Sequence, residues 1–333
     1  MALTVDQSFN EFMKDTVNLD SDETEGAIAS RNWLVEQIAG FKNTNIDFPT
    51  SYKNFNINFG SFARKTKIRE LDDIDIMIGL NGQGSTYMEY AEGIDISVSS
   101  GALDLLKLCH PNSISLNSKK VINKFVSACS NVHQYSSAEI KRNQEAAVLE
   151  LNSYPWSFDI VPSFMTSEDN YGNSYYLIPD GNGYWKKTDP RIDRERVVRI
   201  NQDHDGNVLR VIRIIKYWNR RGTMPTILPY LLETMILNYY EEQSPGAEQF
   251  VDLEFPNVIA YIHNKIMGNV EDPKNIQGNI NYLSYEERKK IMTKIINDHQ
   301  IATVAEEFEQ ENDMESSIAQ WSKIFGSAFP KYY

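Results

Sequence analysis

The apolar residues of this chain turn wholly helical in spacing past Asp203-His-Asp-Gly206, and no other feature constrains the fold as much. Upstream several runs recur every second residue: Phe55, Ile57 and Phe59, then Ile74, Ile76 and Ile78, then Ala147, Leu149 and Leu151. That alternation marks half-buried strands. Downstream, from about residue 208, the spacing becomes three and four, the mark of helices. Helices are predicted over 208–221, 226–242, 256–267, 284–298 and 301–325, the last with a break. Ser284-Tyr-Glu-Glu287 has capping-box spacing at the start of one of them. The reading is α+β: a part containing the strands, residues 1–205, and a C-terminal helical part, 206–333. At 333 residues two domains are the expected division.

Other segments fill in this outline. The first forty residues read as two helices. The second starts at Ser21-Asp-Glu-Thr and carries Ile28, Val35 and Ile38 in its apolar stripe. The strand at 55–59 runs into Gly60-Ser61. Helical stretches are expected at 101–109 and 117–129, and a strand at 139–151. Trp156-Ser-Phe-Asp-Ile-Val161 reads as a strand stopped by Pro162, followed by a loop-rich stretch to about residue 190. Asp189-Pro190 signals a helix start, because proline is tolerated at the first helical position.

Composition excludes several classes. Two cysteines, Cys109 and Cys129, cannot build a disulfide framework or a zinc ribbon of several thiolates. The five histidines show no metal-ligand spacing. A net charge of −13 argues against a broad basic platform for long duplex DNA. No run approaches the roughly 18 apolar residues of a membrane span, and Met1-Ala-Leu-Thr-Val-Asp-Gln7 lacks the basic and apolar regions of a signal peptide. A cytoplasmic protein without membrane association is the expectation.

Against this acidic background one pair stands out. Asp73 and Asp75 are two residues apart on a predicted strand, so both carboxylates face the same way. Adjacent carboxylates stay ionised most readily with a cation between them. Mg²⁺ is held in this manner, by one or two carboxylates completed by substrate phosphates. An Asp-x-Asp alone is equally compatible with a solvated face. Its surroundings add weight. Gly60-Ser61 lies just upstream, where a glycine lets a phosphate approach the backbone and a hydroxyl and free N–H groups can hold it. Downstream, Asp159 is a lone carboxylate in an apolar strand, and a third metal ligand accounts for it better than a cap.

A cationic counterpart lies in the helical part. At about 100° per residue, Arg210, Arg213, Lys216 and Arg220 fall within one third of the helix circumference. Val211, Ile212, Ile214, Ile215 and Trp218 lie opposite. Such a face is usually solvated; in a chain this acidic it is also the local counter-charge that a triphosphate needs.

Asn58-Phe-Gly-Ser-Phe62, Thr66, Asp73-Ile-Asp75 and Phe158-Asp159-Ile-Val-Pro162 together resemble the polymerase-β-type nucleotidyltransferase superfamily. Tyr176-Leu-Ile-Pro-Asp180, Gly183-Tyr-Trp185, Lys187-Thr-Asp-Pro190 and Arg213-Ile-Ile-Lys-Tyr-Trp-Asn219 narrow the likeness to the cGAS/DncV-like nucleotidyltransferases, the CD-NTases of bacterial anti-phage (CBASS) systems. The resemblance covers roughly residues 55–240. It implies a bilobal fold, with a polymerase-β-like core and mixed sheet plus a C-terminal helical domain. It also implies a Mg²⁺- or Mn²⁺-dependent enzyme that joins NTPs into a cyclic di- or oligonucleotide acting on a separate effector protein. Asp73, Asp75 and Asp159 would be the catalytic, metal-binding carboxylates, Asp159 also assisting deprotonation of the acceptor hydroxyl. Gly60 and Ser61 would bind donor phosphates, Lys216 the triphosphate, and Tyr230 a base by stacking. Where relatives have Ser-Tyr before Leu-Glu, this chain has Pro229-Tyr230-Leu-Leu-Glu233, which removes a hydroxyl. The cysteines required by the zinc ribbon of the animal DNA sensor are missing. A linear oligoadenylate synthase is a close variant. A glycosyltransferase using Asp73-Ile-Asp75, which needs neither Gly60-Ser61 nor Asp159, and a non-catalytic nucleotide sensor are the more distant ones.

Overall fold

The structure, a computed structural model, describes residues 3–333. In chain order the elements are α1 (Val5–Phe12), α2 (Ser21–Thr44), β1 (Ile57–Asn58), α3 (Gly60–Ala63), β2 (Asp73–Leu80), β3 (Thr86–Tyr90), β4 (Gly93–Ser97), α4 (Leu103–Leu106) and α5 (Ser118–Ser130). There follow β5 (Glu139–Asn143), β6 (Ala146–Glu150), β7 (Ser157–Met165), β8 (Tyr176–Pro179), β9 (Trp185–Thr188), α6 (Pro190–Asp203), α7 (Val208–Arg220), α8 (Pro229–Glu242), α9 (Val251–Lys265), α10 (Tyr285–Gln310) and α11 (Met314–Phe325). The chain is α+β, as expected. No helix among the described residues is long and apolar enough to cross a membrane.

It folds as two compact units, each discontinuous in sequence. The sheet unit comprises residues 21–63 and 71–190; the helical unit comprises 1–20, 64–70 and 191–333. The units are therefore not divided at residue 205. The N-terminal segment joins the helical unit because its apolar face has partners there. Val5, Phe9, Phe12, Met13 and Val17 are buried in one core with Trp218, Phe255, Trp321, Phe325 and Phe329. Phe9 meets the rings of Trp321 and Phe329 edge-on at centroid distances of 5.0 Å each.

In the sheet unit the strands run in the order β1-β2-β7-β8-β9-β4-β3, with β5 paired to β6 and β6 to β7. β2 and β7 are parallel and the neighbouring pairs antiparallel, giving a mixed sheet. Ile74, Ile76, Phe158 and Ile160 are buried, as are Val121, Ile122 and Phe125 of α5. Phe125 stacks edge-on against Phe48 at 4.9 Å.

Several expectations are corrected. Pro162 does not stop β7, which continues to Met165. On that edge β6 pairs with residues 157–160 and β8 with 164–165, so Pro162 falls between two partners, where a missing N–H is tolerated. The strand expected at 139–151 is a hairpin, turned at Gln144 with φ +49°. The stretch before residue 190 contains β8 and β9, and the helix expected at 101–109 is only Leu103–Leu106. The strand at 55–59 shortens to two residues after a 3₁₀ turn at Lys53–Phe55. The buried stripe of α2 is Ala27, Leu34, Ile38 and Phe41, with Ile28 exposed. α9 begins at Val251 and carries Pro256 inside it. The break in the last helical stretch lies at 311–313, where Asn312 adopts φ +64° and Asp313 caps α11 by accepting from Ser316 N–H.

Candidate active site

β2 places Asp73 and Asp75 on one face by strand geometry alone. Both are half-exposed, while the alternating Ile74 and Ile76 are buried. The parallel ladder with β7 then sets Asp159 directly beside Asp75, with Ile74 beside Phe158 and Asp73 beside Ser157. Strands in register lie about 4.8 Å apart. Three carboxylates therefore project from the same face of two neighbouring strands.

Gly60 closes in on this face. β1 pairs Asn58 with Ile76 of β2, and the Phe59 N–H donates to the Asp75 carbonyl at 3.4 Å. The chain then turns at Gly60, φ +72°, the first residue of α3, with Ser61 next in that turn. A β-carbon on residue 60 would lie 1.7 Å from Asp75 Oδ2. Only glycine leaves room for that carboxylate, and only glycine takes that φ without strain. The Gly-Ser turn and the second aspartate are thus packed against each other.

The donor set fits a hard divalent cation completed by substrate phosphates. Among the described residues no three His, Cys, Asp or Glu side chains converge as tightly as a resident ion requires. A face of three neighbouring carboxylates instead suits a hard divalent cation that keeps much of its shell for water and phosphate.

In the helical unit the arithmetic for α7 holds. Val208, Val211, Ile212, Ile214, Ile215 and Trp218 are buried. The opposite, cationic face is hydrogen-bonded to the chain's own backbone at three of its residues. Arg213 Nη1 donates to Lys65 O at 2.9 Å, Lys216 Nζ to Thr66 O at 3.1 Å, and Arg220 Nη2 to Arg69 O. The face is thus bonded to the backbone of residues 64–70, the stretch lying in sequence between Ser61 and Asp73.

Lys216 also pairs with Glu233 of α8, at 3.0 Å. Glu233 accepts from Arg64 Nε at 2.7 Å and from the Thr66 hydroxyl at 2.9 Å. Its side chain is 5% exposed. Burial opposes its charge, but Arg64 and Lys216 outweigh that and hold its carboxyl at about 2. Lys216 is lowered by burial, against the pull of Glu233 and with Arg64 and Lys67 adding to the decrease. The asymmetry has a simple cause: Glu233 faces two cations, Lys216 one carboxylate. Sequence reading passed over Glu233, although a glutamate between Leu232 and Met235 in an apolar helix needs a buried cation.

Tyr230 sits in a second polar cluster of this unit. Its hydroxyl lies 2.9 Å from Asp193 Oδ1 and 2.8 Å from Asp272 Oδ1, and it accepts from Lys274 Nζ. Lys274 also lies over the ring, 4.0 Å from its centroid. Burial and the two carboxylates push the Tyr230 hydroxyl far above its usual range. The phenol oxygen is thus engaged and one ring face is covered by an ammonium. Sequence reading had no signal for Asp193 of α6 or for Asp272 and Lys274, which share the loop between α9 and α10.

No known family profile matches the chain. It is similar to a probable cyclic nucleotide synthase of Bacillus cereus, 43% identical over 335 residues, covering 100% of this chain and 99% of the relative. Among solved structures it is similar to Escherichia coli CdnC with ATP, with a TM-score of 0.70 at 14% identity over 98% of both chains. Another is the Vibrio cholerae DncV cyclic AMP-GMP synthase, with a TM-score of 0.64 at 13% identity, covering 99% of this chain and 98% of that one.

Proposed function

The chain belongs to the cGAS/DncV-like nucleotidyltransferases, the CD-NTases, and from that membership we propose that it joins NTPs into a cyclic di- or oligonucleotide with release of pyrophosphate. The observation that carries this reading is the acidic face: Asp75 in register with Asp159, Asp73 on the same side, and Gly60 against the Asp75 carboxylate. Asp73, Asp75 and Asp159 would hold Mg²⁺ or Mn²⁺. A divalent cation bound there stabilises charge on the attacking and leaving oxygens of an in-line displacement.

This chain's own residues would do the rest. The acceptor ribose hydroxyl attacks the donor α-phosphorus, and the bond to the pyrophosphate oxygen breaks. Asp159 takes the hydroxyl proton. Gly60 and the Ser61 hydroxyl receive donor phosphates, Lys216 meets the triphosphate, and Tyr230 offers its ring to a base. A further transfer on the linear intermediate closes the ring and releases another pyrophosphate. Family membership supports a role in anti-phage defence, with the product acting on a separate effector protein.

The test uses purified protein with the four radiolabelled NTPs and Mg²⁺ or Mn²⁺, followed by phosphatase. A phosphatase-resistant product that is lost in Asp75→Asn is expected. A phosphatase-sensitive product would indicate a linear oligonucleotide synthase instead. No pyrophosphate release with either metal or with phage-derived extracts would sink the proposal.

A further inference from the structure

Glu233 carries more partners than one ion pair needs. Arg64 Nε lies 2.7 Å from its Oε1, while Oε2 accepts from Lys216 Nζ at 3.0 Å and from the Thr66 hydroxyl at 2.9 Å. Both Thr66 and Glu233 are buried. Stripping a buried carboxylate of its only cation is strongly unfavourable. Here, removing Lys216 leaves Arg64 on one oxygen and the Thr66 hydroxyl on the other, so neither becomes an orphaned acceptor.

We propose that Glu233 and Thr66 are positioning residues for the donor nucleotide: they seat Lys216 in the resting protein and release it to the triphosphate without leaving an unpaired buried charge. This rests on Lys216 as a phosphate contact and deepens that reading. The two cations suit different parts. Arg64 has a planar, rigid fork fit to stay, whereas Lys216 is a point charge on a flexible stem with rotatable donors, fit to move. Burial already disfavours the Lys216 ammonium where it rests. A polyanion brought to it therefore meets a cation with something to gain. The arrangement also gives Thr66 a specific task, as the hydrogen-bond donor that takes over Oε2 once the lysine has left.

The experiment measures binding of the α,β-methylene analogues of the four NTPs by calorimetry, with folding checked by melting temperature. Thr66→Val should weaken binding of the preferred analogue about tenfold, the scale of one buried acceptor left unpaired. Thr66→Ser should restore it. In a Lys216→Met background, where nothing is released from Glu233, Thr66→Val should have no further effect on affinity. Thr66→Ala carries the same comparison if the valine variant does not fold. Wild-type affinity in the hydroxyl-less variants, or equal weakening with and without Lys216, would overturn the inference while leaving Lys216 as a phosphate contact. Wild-type affinity in Lys216→Met alone would remove Lys216 itself from the site.

Discussion

The tightest constraint on any single residue is at Gly60. An alanine there would set its β-carbon 1.7 Å from Asp75 Oδ2 and would hold φ at +72°. The fold can absorb the backbone cost, roughly 1–2 kcal/mol. The carboxylate has to move, and a displacement on the order of 1 Å can cost about a hundredfold in rate. Gly60→Ala is therefore expected to keep its circular dichroism and lose about two orders of magnitude in pyrophosphate release. A second residue-scale consequence lies in the helical unit. Asp252 is buried with Oδ1 unpartnered, and burial, with Asp6 adding to it, raises it from 3.8 to about 6 against the pull of its own backbone N–H and of Arg210. Glu309 of α10 is raised to about 7 by burial, with Asp252, Glu306 and Asp6 contributing, and Glu306 is raised too. Folded Asp252 thus keeps its proton to about pH 6, whereas the unfolded chain loses it near 3.8. Between those values the unfolded state binds fewer protons, so this contribution to stability falls as pH rises. Asp252→Asn should melt higher than wild type at pH 8 and equally at pH 3, below the unfolded value. A lower melting point at pH 8 would show that the charged form is stabilised instead. Glu233 works with the opposite sign: its contribution is present above about 4.5 and is lost as pH falls toward 2.

Among the elements, local signals were readable wherever they determined local geometry. Ser284 caps α10 with both halves of the box formed, its hydroxyl accepting from Glu287 N–H while Glu287 Oε2 accepts from Ser284 N–H at 2.7 Å. Ser284→Ala should cost about 1 kcal/mol, seen as a melting temperature lower by about 2–4 °C. The apolar face of α7 follows from helical spacing in the same way. Signals that depend on a neighbour were misread. Pro162 looks like a strand terminator until the gap between β6 and β8 is known. Ile28 looks like core until the side of α2 that packs is known; Ala27 takes the place instead. Spacing draws the basic stripe of α7 but not what it meets in the resting chain, the carbonyls of 64–70.

At the scale of the whole molecule, charge and division into units carry the argument. A net charge of −13 and the engagement of the α7 cations with the protein's own backbone leave little for a duplex. Long duplex DNA at low salt should change pyrophosphate release by less than about twofold; a stimulation that disappears with added salt would contradict this. The helical unit recruits residues 1–20 and 64–70 from the strand-rich part of the sequence. Burial drives this, since Phe9 and Phe12 find aromatic partners in Trp321, Phe329 and Tyr217 of the helical unit.

Which way a side chain points within its own strand or helix was determined by sequence alone, because a period of two or 3.6 is set by backbone geometry. That is why Asp73 and Asp75 could be placed on one face, and the α7 stripe drawn, before any tertiary contact was known. Which segment lies next to that face was decided only by the folded chain. Asp159 comes beside Asp75 from 84 positions away, and Glu233 meets Thr66 from 167. Such pairings depend on long-range packing of whole elements: the sequence singled out Asp159 as a third metal ligand without its register beside Asp75, and carried no signal joining Glu233 to Thr66.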